Sequence, residues 1–281
     1  MWAVYTLFAS CALNSLSMEA VVRAEPLCGR AMTFWQFAAI CVATAPLVLG
    51  HARRVPIALH AFSGALFFVA CTLNNAAFAY GVSVPLHMLV RSAQIAATLL
   101  VQYAVRGRLC SRRKLAAGAF VTAGMLCCMD WRADGAWSGP LAGNALLVLA
   151  LFVQAALGLV QEETSRRHGD QNSLESAFYM HAMALLLFAA LLGVPALPAT
   201  MGAPSVWPVF AFNTAAHVCC TLSGFRLFAR KDGAVNGALL ITLRKGVSLV
   251  LSAALFGTRL EWQHWLGAAA LLVGTLNYAY A

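Results

Sequence analysis

Ten continuously apolar runs, each close to the length of a membrane-crossing helix, dominate this chain. They cover residues 2–22, 32–50, 57–79, 84–105, 115–131, 141–161, 176–196, 206–227, 234–256 and 262–280. A helix rises 1.5 Å per residue, so about 20 residues cross a hydrocarbon core about 30 Å thick. Lipid offers the backbone no hydrogen bonds, so each run satisfies its own N–H and C=O groups by coiling. A barrel would need alternating polarity, which these runs lack. The composition agrees: 61% of residues are hydrophobic and 10% charged, against about 25% charged in soluble domains. The expectation is an all-α polytopic membrane protein, a single domain over residues 1–281. The first run has no basic n-region. It carries Asn14 and Glu19 where a signal peptide would have its apolar core and cleavage site, and it reads as a mature helix.

Lys and Arg set the orientation. The connections after even-numbered runs hold twelve of the nineteen, from Arg53 and Arg54 to Arg230 and Lys231. Those after odd-numbered runs hold four: Arg23, Arg30, Arg132 and Arg259. Even-numbered connections, and with them both termini, are expected in the cytosol. The net charge of +9 is mostly this topology signal; no basic soluble module is present to hold a nucleic acid. Ten runs divide into two sets of five, and an odd number inverts the second set. Inverted repeats of about 1–135 and 141–281 are therefore expected, an arrangement common among transporters. The polar stretch Gln161–Glu175 would be the linker between them. Small residues such as Gly118, Gly143 and Gly274 would let helices approach closely. Cys11, Cys41, Cys71, Cys127, Cys128, Cys219 and Cys220 read as small apolar residues of the runs, and no disulfide framework is expected. No cofactor or metal motif stands out.

The remaining three cations lie inside apolar runs: Arg91 in the fourth, Arg244 and Lys245 near the middle of the ninth. Each costs about 2.5–3.5 kcal/mol at a helix centre on insertion scales. Only one acid, Glu19, lies clearly within a run, so it neutralises at most one of them. An anion in a water-filled cavity accounts for the rest, and phosphate is the natural choice. Arg meets phosphate bidentately, while Lys acts as a point charge. Two roles stay open for Glu19, pairing with a cation in the empty site or coupling a proton. Asn74 and Asn75, adjacent amides in the third run, need partners in ligand or helix. His87 opens the fourth run as an interfacial histidine or a ligand contact. Phe178, Tyr179 and His181 open the seventh, as an interfacial aromatic belt or as a platform for a nucleobase. No His-Glu-x-x-His, paired intramembrane aspartates or Gly-x-Ser-x-Gly supports an enzyme.

Five stretches resemble the nucleotide-sugar transporters of the drug/metabolite transporter superfamily. They are Thr33-Phe-Trp-Gln36-Phe37, Leu73-Asn-Asn-Ala-Ala-Phe, Val84-Pro-Leu-His87-Met-Leu-Val-Arg91-Ser92, Phe178-Tyr-Met-His181 and Thr242-Leu-Arg-Lys-Gly-Val-Ser248. The likeness is greatest to the branch carrying UDP-N-acetylglucosamine and UDP-xylose across endoplasmic reticulum and Golgi membranes. The resemblance implies ten helices and alternating access by two inverted halves. It further implies exchange of a cytosolic nucleotide sugar for the matching nucleoside monophosphate, here UMP. Arg244 and Lys245, with Arg91, would meet phosphate; Phe178, Tyr179 and His181 would recognise the nucleotide. Glu19, Gln36, Asn74, Asn75, His87, Thr242 and Ser248 would line the cavity. The family motif on the seventh helix has Asn third, where this chain has Met180, which removes an amide. A carrier of a GDP-linked sugar or another phosphorylated metabolite is the alternative. Expected partners are the transported nucleotides and membrane lipid, with homo-oligomers left open.

Overall fold

The computed structural model describes residues 2–24, 28–80, 82, 90–91, 93–107, 111–127, 141–169, 173–195, 206–228 and 262–279. Their regular structure is helical: α1 (Trp2–Ala24), α2 (Gly29–Val48), α3 (Ile57–Ala79), α4 (Gln94–Arg106), α5 (Arg112–Cys127), α6 (Leu141–His168), α7 (Ser173–Leu192), α8 (Val206–Phe228) and α9 (Trp262–Ala279). Four of these, α2, α3, α6 and α7, are long and apolar enough to cross a membrane. The expected ninth run lies outside the described residues, as does the start of the fourth.

Boundaries follow local chemistry. α3 and the expected run 57–79 coincide. α6 does not stop at 161 but continues to His168, so most of the expected linker is helix. Two features extend it. Glu163 accepts hydrogen bonds from Arg166 (2.5 and 2.7 Å) and Arg167 (2.6 Å) across one turn. Arg166 and Arg167 also set positive charge against the carbonyl end of the helix dipole. Gly169 then stops the helix at φ 91°, donating its N–H to Ser165 O at 2.8 Å. That left-handed position suits glycine.

The chain folds into two compact units, each drawn from both halves of the sequence. The first holds Met1–Phe68 and Val160–Gly233; the second holds Val69–Leu159 and Ala234–Ala281. In the first unit α1 packs along α8 and α2 along α7, and α8 also touches α2 and α7. Val21, Cys28, Met32, Val206 and Phe210 form a buried cluster there, with Trp35 and Val209 against it. In the second unit α5 packs along α9 and touches α4. Ala77, Val82 and Leu147 make one buried cluster of that unit, and Ala97, Leu151 and Ala155 another.

One expectation is corrected. Cys11 of α1 and Cys220 of α8 are not simply small apolar residues. They are joined as a disulfide, their Cα atoms 4.9 Å apart across 209 residues of sequence. Packing of α1 along α8 brings them together, and no local spacing announces such a pair.

Close helix approach is seen at expected positions. A Cβ added at Gly274 of α9 would stand 2.8 Å from Val121 Cγ2 and 3.0 Å from Ala117 O. Among the described glycines of the first unit the tightest approach is at Gly64 of α3, which the sequence did not single out. A Cβ there would lie 2.5 Å from Met183 Cβ and 3.1 Å from Met180 O of α7. Those atoms belong to a helix and cannot swing aside. Gly64→Ala is expected to destabilise the protein by about 1–3 kcal/mol, the usual cost of overpacking. Gly50→Ala, at a position with nothing within 4 Å, should change little. Thermal unfolding of both variants in detergent checks this, and equal midpoints would refute the close approach.

Candidate functional site

A polar cluster sits inside the first unit, where an apolar helix interface would otherwise be expected. Asn213 of α8 is fully buried at 0% exposure. Its Oδ1 accepts a hydrogen bond from Gln36 Nε2 of α2 at 2.7 Å. Its Nδ2 donates to Asn14 O (2.8 Å), Asn14 Oδ1 (3.0 Å) and Ser17 Oγ (3.0 Å) of α1. One amide thus ties three helices. Gln36, expected in the sugar cavity, spends its amide nitrogen on this cluster in the observed conformation. Asn213→Leu would strip Gln36 Nε2 and Asn14 Oδ1 of their partner. Its expected cost is about 1–3 kcal/mol, seen as a lower unfolding midpoint in detergent; an unchanged midpoint would show the cluster to be dispensable.

The seventh-run aromatics start on α7. Phe178 and Tyr179 are half-buried and meet edge to face, centroids 5.0 Å apart at 78°. Tyr179 also stacks on the His60 ring of α3, at 4.8 Å and 21°. His181 points elsewhere. At 1% exposure, it packs against Phe37 (5.3 Å), Phe67 (5.0 Å) and Phe225 (5.9 Å). Its Nδ1 lies 2.7 Å from Ala177 O. A carbonyl only accepts, so Nδ1 carries the proton. In this conformation Phe178 and Tyr179 share a site, while His181 is a core group beside it.

The second unit holds the other described candidates. Asn74 is half-buried and donates to Ala70 O at 2.7 Å, whereas Asn75 is exposed. Arg91 is half-buried within electrostatic reach of Cys71. His87, Thr242, Arg244, Lys245, Ser248 and the side chain of Glu19 lie outside the described residues.

Two groups that the sequence reading passed over complete the α7 site. Glu175, in the first turn of α7, accepts the backbone N–H of Arg54 (3.1 Å) and of Val55 (3.0 Å). It also accepts from His60 Nε2 at 3.2 Å. Beside it, a cavity of about 180 Å³ is lined by Leu47, Val48, His51, Arg53, Arg54 and Leu174 among others. Glu175 precedes the apolar run 176–196. Burial pushes its carboxyl upward, but the hydrogen bonds from Val55, His60 and Arg54 outweigh burial and hold it below the ordinary 4.5. At the end of α6, Glu163 is pulled down to about 2 by its hydrogen bonds from Arg166 and Arg167. The sign follows by linkage: a depressed carboxylate stabilises the fold above its unfolded value, and the gain is lost as pH falls through the folded value. Glu175→Gln should therefore lower the unfolding midpoint at pH 7. The gap to wild type should narrow as pH falls below about 4.5. A gap that is constant with pH would refute the ionised latch.

The whole chain, residues 1–281, matches the family described as the UAA transporter family. The chain belongs to that family. It is a nucleotide-sugar transporter and not an enzyme. Among its relatives is the nucleotide sugar transporter SLC35B4 of Mus musculus, 30% identical over 99% of this chain and 92% of that protein. The UDP-xylose and UDP-N-acetylglucosamine transporter of Danio rerio is 27% identical over 99% and 93%. The endoplasmic reticulum GDP-fucose transporter of Drosophila melanogaster is 27% identical over 97% and 88%. A solved crystal structure shares the fold with a TM-score of 0.76 at 15% identity, over 99% of this chain and 96% of that one.

Proposed function

We propose that this transporter exchanges a cytosolic UDP-sugar, UDP-N-acetylglucosamine or UDP-xylose or both, for lumenal UMP in a Golgi or endoplasmic reticulum membrane. The observation that carries the reading is full-length similarity to a relative named for those two substrates. The residues support it physically. A nucleotide sugar brings two phosphate charges. Arg244 and Lys245, helped by Arg91, would offset them inside the membrane. Phe178 and Tyr179 would offer the base an aromatic face, with Gln36, Asn74, Asn75, His87, Thr242, Ser248 and Glu19 toward the sugar. His181 would then steady the start of α7 from its aromatic pocket.

Exchange follows from charge. Cations left bare in an empty site resist occlusion from water, because desolvating an unpaired ion costs several kcal/mol. A bound nucleotide sugar or nucleoside monophosphate removes that cost, so the loaded carrier reorients and the empty one lags. Reorientation would use two inverted repeats of about 1–135 and 141–281, with both termini cytosolic. A GDP-linked sugar is the second reading, favoured by similarity to the GDP-fucose transporter of Drosophila melanogaster. Met180 in place of the motif amide also leaves base choice to other groups.

The test is uptake of labelled UDP-N-acetylglucosamine into proteoliposomes preloaded with UMP, GMP, CMP or nothing. Uptake is expected with UMP inside and at background otherwise, and Lys245→Ala should abolish it. Uptake driven by GMP would overturn the UDP assignment and keep the mechanism. Equal uptake with no preload would overturn obligate exchange.

A further inference from the structure

We infer that His60 and Glu175 are positioning residues that set the ring of Tyr179 for its nucleobase. This rests on the reading of Tyr179 as part of the recognition platform. The chain of contacts starts at backbone. The N–H groups of Arg54 and Val55 cannot rotate away as a side chain would, and both donate to the Glu175 carboxylate, at 3.1 and 3.0 Å. The same carboxylate accepts His60 Nε2–H at 3.2 Å. His60 is 2% exposed, so its ring has no water to turn toward. Its face lies parallel to Tyr179, 4.8 Å away and tilted by 21°. Phe178 packs against Tyr179 in a T-shaped contact, centroids 5.0 Å apart at 78°.

Glu175 and Tyr179 are four residues apart on α7 and so lie on one helix face. The connection between α2 and α3 therefore holds Glu175, Glu175 holds His60, and His60 holds Tyr179. An aromatic residue at a span end ordinarily belongs to an interfacial belt, with its ring free to choose among rotamers. Here the ring is fixed before any ligand arrives, and a pre-set ring spends less of the stacking energy on ordering. Glu175 and His60 touch no substrate in this scheme; they act through Tyr179.

The experiment is nucleotide exchange by the full chain in proteoliposomes, with KM and Vmax measured for external UMP and GMP. Four variants are compared, and each has its unfolding midpoint recorded. Tyr179→Ala is the reference, expected to raise KM for UMP about tenfold, within the worth of one base–aromatic stack. His60→Gln keeps a donor for Glu175 and loses the stacking ring. Glu175→Gln weakens the hold on His60. Both are expected to raise KM for UMP several-fold with Vmax retained. His60→Phe restores a ring and should recover part of the loss. Wild-type KM in His60→Gln and Glu175→Gln, where Tyr179→Ala is impaired, would overturn the inference alone. A fall in Vmax and midpoint with KM for UMP unchanged would overturn it too, as a purely structural role. An unaffected Tyr179→Ala would sink the platform reading and this inference with it. Should His60→Gln fail to fold, Glu175→Gln, which exchanges one atom, carries the same readout.

Discussion

A bilayer supplies no hydrogen bonds, and the first unit answers that constraint through Asn213. An unpartnered amide in an apolar interior costs several kcal/mol. Asn213 escapes the cost because α1 and α2 both present matching groups, Asn14 and Ser17 on one side and Gln36 on the other. The bonds require a particular rotation and height of each helix about its axis. Apolar packing alone would tolerate a slide, since lipid tails and leucines are equally good neighbours. The amide thus specifies how α1, α2 and α8 align, and the aromatic groups of α7 lie against helices whose register it has set.

The start of α7 in the same unit is held differently. There the Glu175 carboxylate gathers two backbone donors and an imidazole, at the start of a helix whose dipole also favours a negative charge. The charge is tolerable there because those three donors surround it. The cations inside apolar runs, Arg91, Arg244 and Lys245, are the ones for which the proposed function supplies a transported anion as counter-ion.

What was legible in the sequence was whatever depends on neighbours along one helix. Run 57–79 is uncharged from end to end and became α3 unaltered. The end of α6 was misjudged because Gln161–His168 is polar, and polarity suggested a loop. The charges of Glu163, Arg166 and Arg167 fall at helical spacing and extend α6 to His168. Contacts between distant segments left no trace. Cys11 and Cys220, His60 and Tyr179, and Gln36 and Asn213 are each more than a hundred residues apart. Asn213 did carry a signal, as an amide in the middle of an apolar run, and the adjacent pair Asn74–Asn75 drew attention instead. His60 and Glu175 looked like ordinary residues of a span edge and a polar connection. Only packing of α3 against α7 gives them a common task.

The disulfide between Cys11 and Cys220 adds a mechanical consequence. α1 and α8 are already joined through Asn213, and the covalent link removes any freedom to shear past each other. The two helices behave as a single strut. Any rearrangement of the first unit would carry that strut as one piece.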